Sequence, residues 1–365
     1  MLIGFVLGQD IPTTYLFVGS YTAGVESEGI VVFAFDTETG ELTEVEREGN
    51  LINPSYLSIS PNGKFLYACT ETKLDKHGSV SAFKIDTLTG KLTFLNKQTT
   101  GGKNPVHLVI SKNSEYVIAS NYTNAGVCTF KCNSDGNLRP LSQLLEFKGN
   151  SIIKGRQDDA HIHSSNFSPD GKYVLSPDLG TDEIRVFKFD EENLLTAIDT
   201  LTIKTSQGSG PRHFSFHPTE PYAYCVEELS GTVSFYKYQD GKLILFNTYD
   251  SYELNQEEYA SSDIHISPDG KFLYASNRQD ENSISIFKIQ VNSGTLSIQD
   301  HQSTHGAIPR SFVIDPTGKY LIVANQASND LVIFSRDIET GLLTKLSVLK
   351  GINSPTSLKM IKYGG

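Results

Sequence analysis

The sequence lacks two features that would each place it in a particular class of protein. It has no excess of basic residues, because 31 Lys and Arg face 42 Asp and Glu, for a formal net charge of −11. Such a chain as a whole repels a phosphate backbone or an anionic membrane surface. Its only long apolar stretch, the N-terminal "MLIGFVL", has no basic residues before it and is too short to span a bilayer. We therefore expect neither a nucleic-acid partner nor a membrane partner.

Cysteine is also scarce, which argues against a disulfide framework. The four cysteines, Cys69, Cys128, Cys132 and Cys225, form no C-x-x-C pair, and three lie within strand-like runs where a buried thiol is usual. We expect residues 1–14 to be a flexible segment or the remnant of an export signal. The first expectation for localisation is the cytoplasm, and export to the periplasm is the alternative.

Two common catalytic motifs are missing as well. No G-x-S-x-G nucleophile elbow occurs, which argues against a Ser-His-Asp hydrolase. The "GSG" at residues 208–210 precedes Pro211 and a strand-like run, whereas a nucleotide-binding loop would open a helix.

What the sequence does contain is a repeat of roughly 50 residues. Each copy has a turn rich in Pro, Asn, Asp and Gly, followed by an apolar run rich in aromatic and β-branched residues, which is typical of a tight turn leading into a buried strand. Examples are "SPNGKFLYACTE" and "SPDGKFLYASNR". The six turns begin at Ser60, Ser111, Ser168, His217, Ser267 and Asp315.

Four strands recur around each turn, which is the pattern of a β-propeller blade. The N-terminal strings "YLFVGSYT", "GIVVFAFD" and "ELTEVERE" and the C-terminal "SPTSLKMIK" together supply one more blade. We therefore predict an all-β, seven-bladed propeller with four antiparallel strands per blade. Pairing of the N- and C-terminal segments would close the ring and leave no unpaired sheet edge. The predicted domain is residues 15–365, as a monomer or weak homo-oligomer.

Aligning the repeats predicts which residues surround one mouth of the central channel. The loop before strand one and the loop between strands two and three must emerge on the same face, since neighbouring strands are antiparallel. Five residues before each turn, at the start of strand one, the first column contains Ser55, Val106, His163, Arg212, Ser262, Arg310 and Thr356. At the end of strand two, the second column contains Tyr21, Glu71, Tyr122, Leu179, Glu228, Arg278 and Gln326.

Three arginines gathered on an acidic protein predict a site for a carboxylate or a phosphate. His161 and His163 lie on the same side of an extended chain, so both could face this site. Three roles remain open for them: proton transfer, structural hydrogen bonding, or metal binding. Metal binding would need a third ligand and is opposed by the nearby arginines. The candidate third ligands are Asp158, Asp159, Asp178 and Glu228.

Long segments resemble the seven-bladed lactonase family, which includes propeller-type 6-phosphogluconolactonases and carboxy-muconate cyclases. They include "HSSNFSPDGKYVLSPDL", "GSGPRHFSFHPTEPYAYCVEELSG", "SSDIHISPDGKFLYASNR" and "PRSFVIDPTGKYLIVANQ". The resemblance extends from Tyr15 to about Lys362. It departs where Gln279-Asp280 replaces the Gly-His that commonly follows "SNR" in the family, so no histidine role carries over to that loop.

The resemblance implies hydrolysis of a sugar lactone without a metal or other cofactor. The catalytic residues it implies are His163, Arg212, Glu228 and Arg278, and all four lie in the two columns. Further residues expected to bind substrate are Arg310, His161, Asp178, Asn277, Asn325 and Gln326. Either His163 or Glu228 could be the base.

The favoured substrate is 6-phosphoglucono-1,5-lactone, an anionic lactone whose carbonyl is already activated. One alternative is a lactonase or cycloisomerase acting on a carboxylated, unphosphorylated substrate. The other is a propeller without enzymatic activity that binds a ligand or a protein on this face.

Overall fold

The protein consists of seven small antiparallel sheets. The computed structural model describes residues 13–23, 28–71 and 77–364. Within these ranges there is no helix, and thus none long and apolar enough to cross a membrane. The first strand begins at Thr13, two residues before the predicted start of the domain at residue 15. Residues 1–12 of the predicted N-terminal segment lie outside the described residues.

The strands are short, and those described have two to nine residues each. The first sixteen are β1 (Thr13–Ser20), β2 (Ile30–Phe35), β3 (Leu42–Glu48), β4 (Leu57–Ile59), β5 (Phe65–Thr70), β6 (Ser79–Ile85), β7 (Leu92–Thr99), β8 (Pro105–Ile110), β9 (Tyr116–Asn121), β10 (Gly126–Lys131), β11 (Gln143–Glu146), β12 (Asn166–Phe167), β13 (Tyr173–Asp178), β14 (Glu183–Asp190), β15 (Leu194–Ala197) and β16 (Ile203–Lys204). The others are β17 (Pro211–Phe216), β18 (Tyr222–Glu227), β19 (Thr232–Gln239), β20 (Lys242–Asp250), β21 (Ser261–Ile266), β22 (Phe272–Asn277), β23 (Ser283–Ile289), β24 (Leu296–Ser303), β25 (Pro309–Ile314), β26 (Tyr320–Asn325), β27 (Asp330–Arg336), β28 (Leu343–Lys350) and β29 (Pro355–Tyr363).

Six of the sheets are built from four consecutive strands paired in chain order, which we number as blades 1 to 6. They are β4–β7, β8–β11, β12–β15, β17–β20, β21–β24 and β25–β28. Blade 3 differs only in an additional short strand, β16, which also pairs with β14. The predicted four antiparallel strands per blade are therefore confirmed.

The two ends of the chain share the seventh blade. Its strand order is β29-β1-β2-β3, and β29 runs antiparallel to β1 from the pair Thr13 and Tyr363 to the pair Ser20 and Pro355. The predicted closure of a seven-bladed ring by the terminal segments is confirmed. Closure of this kind removes the unpaired edge that an open sheet would present.

The core lies between successive blades. Strand two of each blade is almost entirely buried, as in "FLYASN" of β22, so both faces of the sheet are covered by neighbouring blades. In one of seven apolar clusters, Tyr67 of blade 1 packs with Val117 and Phe130 of blade 2. All four cysteines are buried and free within this packing. Burial on both faces makes each blade a rigid support for the loops at its ends.

Candidate active site

Irregular pairing in the inner strands fixes the direction of the side chains at the channel mouth. In β8 the pairing register shifts between Pro105 and His107, and β17 and β25 have the same shift at the equivalent points. In the seventh blade the extra residue is in β29, because the neighbours Gly19 and Ser20 of β1 pair with Ser357 and Pro355. The residue passed over in each case belongs to the predicted first column: Val106, Arg212, Arg310 and Thr356. The extra residue of a β-bulge is not paired with the neighbouring strand, so its side chain can point in a direction that the regular alternation would not allow.

A cavity of about 340 Å³ opens at this mouth. Its lining includes four residues of the first column and five of the second, in line with the repeat alignment. The lining residues are Tyr21, Glu71, Val106, Tyr122, Arg156, His163, Arg212, Glu228, Ala260, Arg278, Gln279 and Arg310. Four arginines against two carboxylates give the cavity an excess of two positive charges when His163 is neutral.

Glu228 is the centre of the charged network in this cavity. One carboxylate oxygen lies 2.5 Å from Nη2 of Arg156, and the other lies 2.7 Å from Nε of Arg212 and 3.3 Å from Nη2 of Arg278. Burial alone would raise the pKa of Glu228, but the three cations outweigh it and hold that pKa far below the ordinary range. Glu228 is therefore a permanent anion that organises the arginines.

Arg212 and Arg278 are also tied to backbone carbonyls. Nη1 of Arg212 donates to the carbonyl of Ser262 at 2.6 Å, and Nε of Arg278 donates to that of Ala260 at 2.7 Å. Both guanidinium groups therefore have fixed planes.

Arg310 differs from the other arginines of the cavity. Its guanidinium carbon lies 5.3 Å from the centroid of the Tyr21 ring, a cation–π contact. In the described part of the chain its guanidinium nitrogens have no hydrogen-bond acceptor, so its donors remain available to a bound anion.

His163 lines the same cavity as these arginines and is only 6% exposed. Its Nδ1 is buried with no hydrogen-bond partner among the described residues, and its ring meets Tyr122 edge-on at 5.4 Å between centroids. Burial, together with the charges of Arg212 and Arg310, holds the pKa of His163 well below the ordinary 6.5. The imidazole is therefore neutral near pH 7 and has a lone pair that can accept a proton.

Three residues predicted to bind substrate lie in the packing of the blades and not in the cavity lining. Asp178 is fully buried and accepts the backbone N–H of His161 at 2.7 Å. Asn277 donates to the carbonyl of Ser251 at 2.8 Å. Asn325 donates to a backbone carbonyl at 3.2 Å and to a carboxylate at 2.9 Å. All three fix loops around the mouth.

The other predicted positions lie beside the cavity. The ring of His161 stacks on that of Tyr122 with 4.3 Å between centroids, and its Nδ1 is 3.0 Å from the Tyr122 carbonyl oxygen. Gln326 is half-buried and its backbone N–H donates to the carbonyl of Ile308. Leu179, from the second column, is fully buried.

Repeat alignment missed Arg156 because this residue has no counterpart in the repeats. It lies in the long loop between β11 and β12, and that loop leads into the first strand of blade 3. Such loops belong to the site face, so a basic residue seven positions before His163 was a usable signal. As for metal binding, no cluster of three or more His, Cys, Asp or Glu side chains suited to a metal ion forms within the described ranges.

Fold and cavity together define a propeller enzyme with a cationic site for a small anionic substrate. Residues 15–360 match the family model described as lactonase, seven-bladed β-propeller. The chain thus belongs to the seven-bladed β-propeller lactonase family, and it is a lactone hydrolase.

Relatives and solved structures agree with this assignment. The chain is 45% identical to a 6-phosphogluconolactonase of Formosa agariphila over 95% of its own length and 99% of the relative. It is 36% identical to a 6-phosphogluconolactonase of Bacillus subtilis, over 96% and 99% of the two chains. The solved structure of the periplasmic gluconolactonase of Pseudomonas aeruginosa has a TM-score of 0.90 and 31% identity, over 96% and 99% of the two chains.

Proposed function

We propose that the protein hydrolyses 6-phosphoglucono-1,5-lactone to 6-phosphogluconate without a metal ion. The observation that carries this proposal is the composition of the cavity, where a neutral, buried histidine stands beside four arginines. The names of the Formosa and Bacillus relatives support the same substrate.

His163 is the base in this proposal. A water molecule attacks the lactone carbonyl, and the imidazole accepts the proton that the water loses. The tetrahedral intermediate then collapses, the bond from the carbonyl carbon to the ring oxygen breaks, and the ring oxygen takes that proton back from His163. The products are a free hydroxyl and a carboxylic acid that ionises in water. Glu228 is a poor candidate for this role, since arginine nitrogens already engage both of its carboxylate oxygens, whereas Nδ1 of His163 has no hydrogen-bond partner among the described residues.

The arginines divide into two groups by their bonding. Arg212 and Arg278 have fixed guanidinium planes, which suits preorganised donors for the negative charge that develops on the carbonyl oxygen. Arg310 has free donors and suits an anionic group that arrives with the substrate. Glu228 contributes by holding Arg156, Arg212 and Arg278 close together despite their mutual repulsion.

The charge of the cavity favours a phosphorylated substrate over an unphosphorylated one. A phosphate monoester carries about 1.5 to 2 negative charges at pH 7, which matches the excess of two positive charges among the lining residues. A carboxylated lactone would neutralise only one of them. The gluconolactonase of Pseudomonas aeruginosa makes an unphosphorylated aldonolactone the second candidate substrate.

The charge of the proposed substrate also indicates in which cellular compartment the enzyme acts. A doubly charged sugar phosphate does not cross a lipid bilayer unaided, because transfer of an ion into hydrocarbon is very costly. We therefore expect an enzyme that acts on the phosphorylated lactone to be cytoplasmic. Activity on the unphosphorylated lactone alone would indicate an exported enzyme. Activity of separated cytoplasmic and periplasmic fractions distinguishes the two.

The test is the rate of lactone opening above the spontaneous rate, on phosphorylated and unphosphorylated gluconolactone, with and without a chelator. We expect chelator-insensitive activity with higher kcat/KM on the phosphorylated lactone. His163→Ala should lower kcat about 10²- to 10⁴-fold, and Arg310→Gln should raise KM for the phosphorylated lactone alone. His301→Ala, on the outer strand β24, is the matched control and should behave as wild type. No acceleration by folded wild type, or full activity of His163→Ala, would refute the proposal.

A further inference from the structure

Next to the cavity lies a second group of polar side chains that the proposed reaction does not use. His213 and Asp263 belong to this group, and both are buried. His213 follows the bulge residue Arg212 in β17. Successive side chains of a regular strand point to opposite faces, but the bulge breaks that alternation. As a result Nη1 of Arg212 lies 3.1 Å from Nε2 of His213.

Asp263 determines which nitrogen of His213 carries the proton. One carboxylate oxygen lies 2.9 Å from Nδ1 of His213, and the other accepts the hydroxyl of Ser311 at 2.9 Å and faces Nε2 of His265 at 3.2 Å. An ionised carboxylate can only accept, and a guanidinium can only donate. His213 stands between one of each, so its proton must be on Nδ1 and its lone pair on Nε2. Burial and the charge of Arg212 lower the pKa of His213 to about 4, in keeping with a neutral ring.

Nε2 of His213 accepts one of the hydrogen bonds that hold the guanidinium group of Arg212 in place. Nε of Arg212 is bound by Glu228, and Nη1 is bound by the Ser262 carbonyl and by His213. Across the described residues, Nη2 of Arg212 has no hydrogen-bond acceptor, although Arg212 lines the cavity. Two of its three nitrogens are thus held by the protein, and the third remains for the substrate.

We propose that His213 and Asp263 are positioning residues for lactone hydrolysis, which orient Nη2 of Arg212 toward the carbonyl oxygen of the substrate. The inference rests on the proposed function, in which Arg212 stabilises the developing oxyanion. Donors of this kind act only at the geometry of the transition state, so a small rotation of the guanidinium plane lowers kcat more than it raises KM.

Two substitutions at one position separate this role from a merely structural one. The amide group of glutamine reaches the place of Nε2 of histidine, whereas that of asparagine reaches only the place of Nδ1. His213→Gln therefore keeps an acceptor for Arg212, and His213→Asn keeps only the contact with Asp263. We expect His213→Asn to lower kcat about 10- to 100-fold, as loss of a supporting hydrogen bond does at other sites. His213→Gln should stay within about threefold of wild type, with KM little changed in both.

A second measurement tests the proton itself. In protein labelled with ¹⁵N at histidine, the ring shifts of His213 should show protonation at Nδ1 at pH 7. Asp263→Asn should change that pattern, because the NH₂ group of the amide takes the place of one carboxylate oxygen. It then points a donor either at His213 or at the side that Ser311 and His265 occupy. This variant should lose kcat to the extent that it populates the Nε2–H form.

Controls separate failure of this inference from failure of the proposed function. His107→Gln alters a channel histidine whose ring lies 5.4 Å from that of His213 but which bonds neither Arg212 nor Asp263, and it should keep wild-type kcat. Arg212→Gln tests the proposed function, since full activity of that variant would remove the role of Arg212. If Arg212→Gln is inactive but His213→Asn and His213→Gln have equal kcat, or if His213 is protonated at Nε2 in wild type, positioning by His213 and Asp263 is overturned.

Discussion

Glu227 and Glu228 are neighbours in sequence and nearly equal in burial, at 2% and 5% exposure, but they have opposite partners. Glu228 faces three arginines, whereas Glu227 accepts the hydroxyls of Thr232 and Ser234, at 2.7 and 3.0 Å. Replacing each by glutamine keeps the shape and removes the charge. We expect Glu228→Gln to cost much more stability than Glu227→Gln.

The magnitudes follow from what each change leaves behind. Glu228→Gln leaves Arg212, which is 2% exposed, without its anion, and breaking a buried ion pair costs about 3–5 kcal/mol. Glu227→Gln weakens two hydrogen bonds to hydroxyls but also removes a buried charge whose desolvation opposes folding, so the net loss is about 0.5–2 kcal/mol. A chain of this length has an unfolding entropy of roughly 0.7 kcal/mol per kelvin. The expected fall in Tm is therefore about 4–7 °C for Glu228→Gln and about 1–3 °C for Glu227→Gln.

The loss of stability caused by each substitution should change with pH in opposite directions. The pKa of Glu228 is lowered from 4.5 by its arginines despite burial, so its stabilisation is present above pH 4.5 and is lost as the pH falls below that value. Burial raises the pKa of Glu227 above 4.5, so the contribution of Glu227 decreases as the pH rises through the raised value.

Thermal unfolding followed by circular dichroism from pH 3.5 to 8 measures both effects. The Tm difference between wild type and Glu228→Gln should shrink below pH 4.5, and that for Glu227→Gln should grow as the pH falls toward 4.5. Equal losses for the two variants at pH 7 would refute the view that the arginine network of Glu228 stabilises the fold.

Three further predictions concern the base, the closing blade and the thiols. Arg310→Gln removes a cation that lowers the pKa of His163, so the acid limb of kcat/KM should move toward pH 6.5, and an unmoved limb would contradict that coupling. Deleting residues 355–365 removes β29 and exposes an edge of β1, so gel filtration should show aggregates, and a cooperatively folding monomer would disprove the need for closure. Burial raises the pKa of Cys69 and Cys225 well above 9.0, so a thiol reagent should modify them only in denaturant, and rapid reaction of native protein would show that these thiols are accessible.

The fold could be predicted almost completely from the sequence because the repeat is local and regular. Turns such as "SPDG" fix where each second strand begins, and the terminal strings leave only one way to complete the seventh blade. The positions of Arg212 and Arg310 followed from the same alignment, since bulges occur at equivalent points of the inner strands.

Contacts that depend on tertiary geometry could not be predicted in this way. Asn277 and Asn325 end their strands next to the mouth, and only the structure shows that their amides are used inside the blades. Arg156 comes from a loop with no repeat equivalent, so no alignment of blades could place it against Glu228. Tautomer control of His213 depends on Asp263 from the next blade, at a separation of 50 residues.

Comparison of the repeats also explains how seven similar blades form one candidate active site instead of seven equivalent ones. All seven blades present an equivalent position at the channel mouth, and a structural requirement common to the blades would place similar residues there. The turns do agree among the blades, because backbone geometry demands it. The first column does not agree, and changes from Ser55 to Val106 to His163 to Arg212 along consecutive blades. Positions where the repeats agree therefore build the ring, and positions where they differ provide the charges and the base of the cavity.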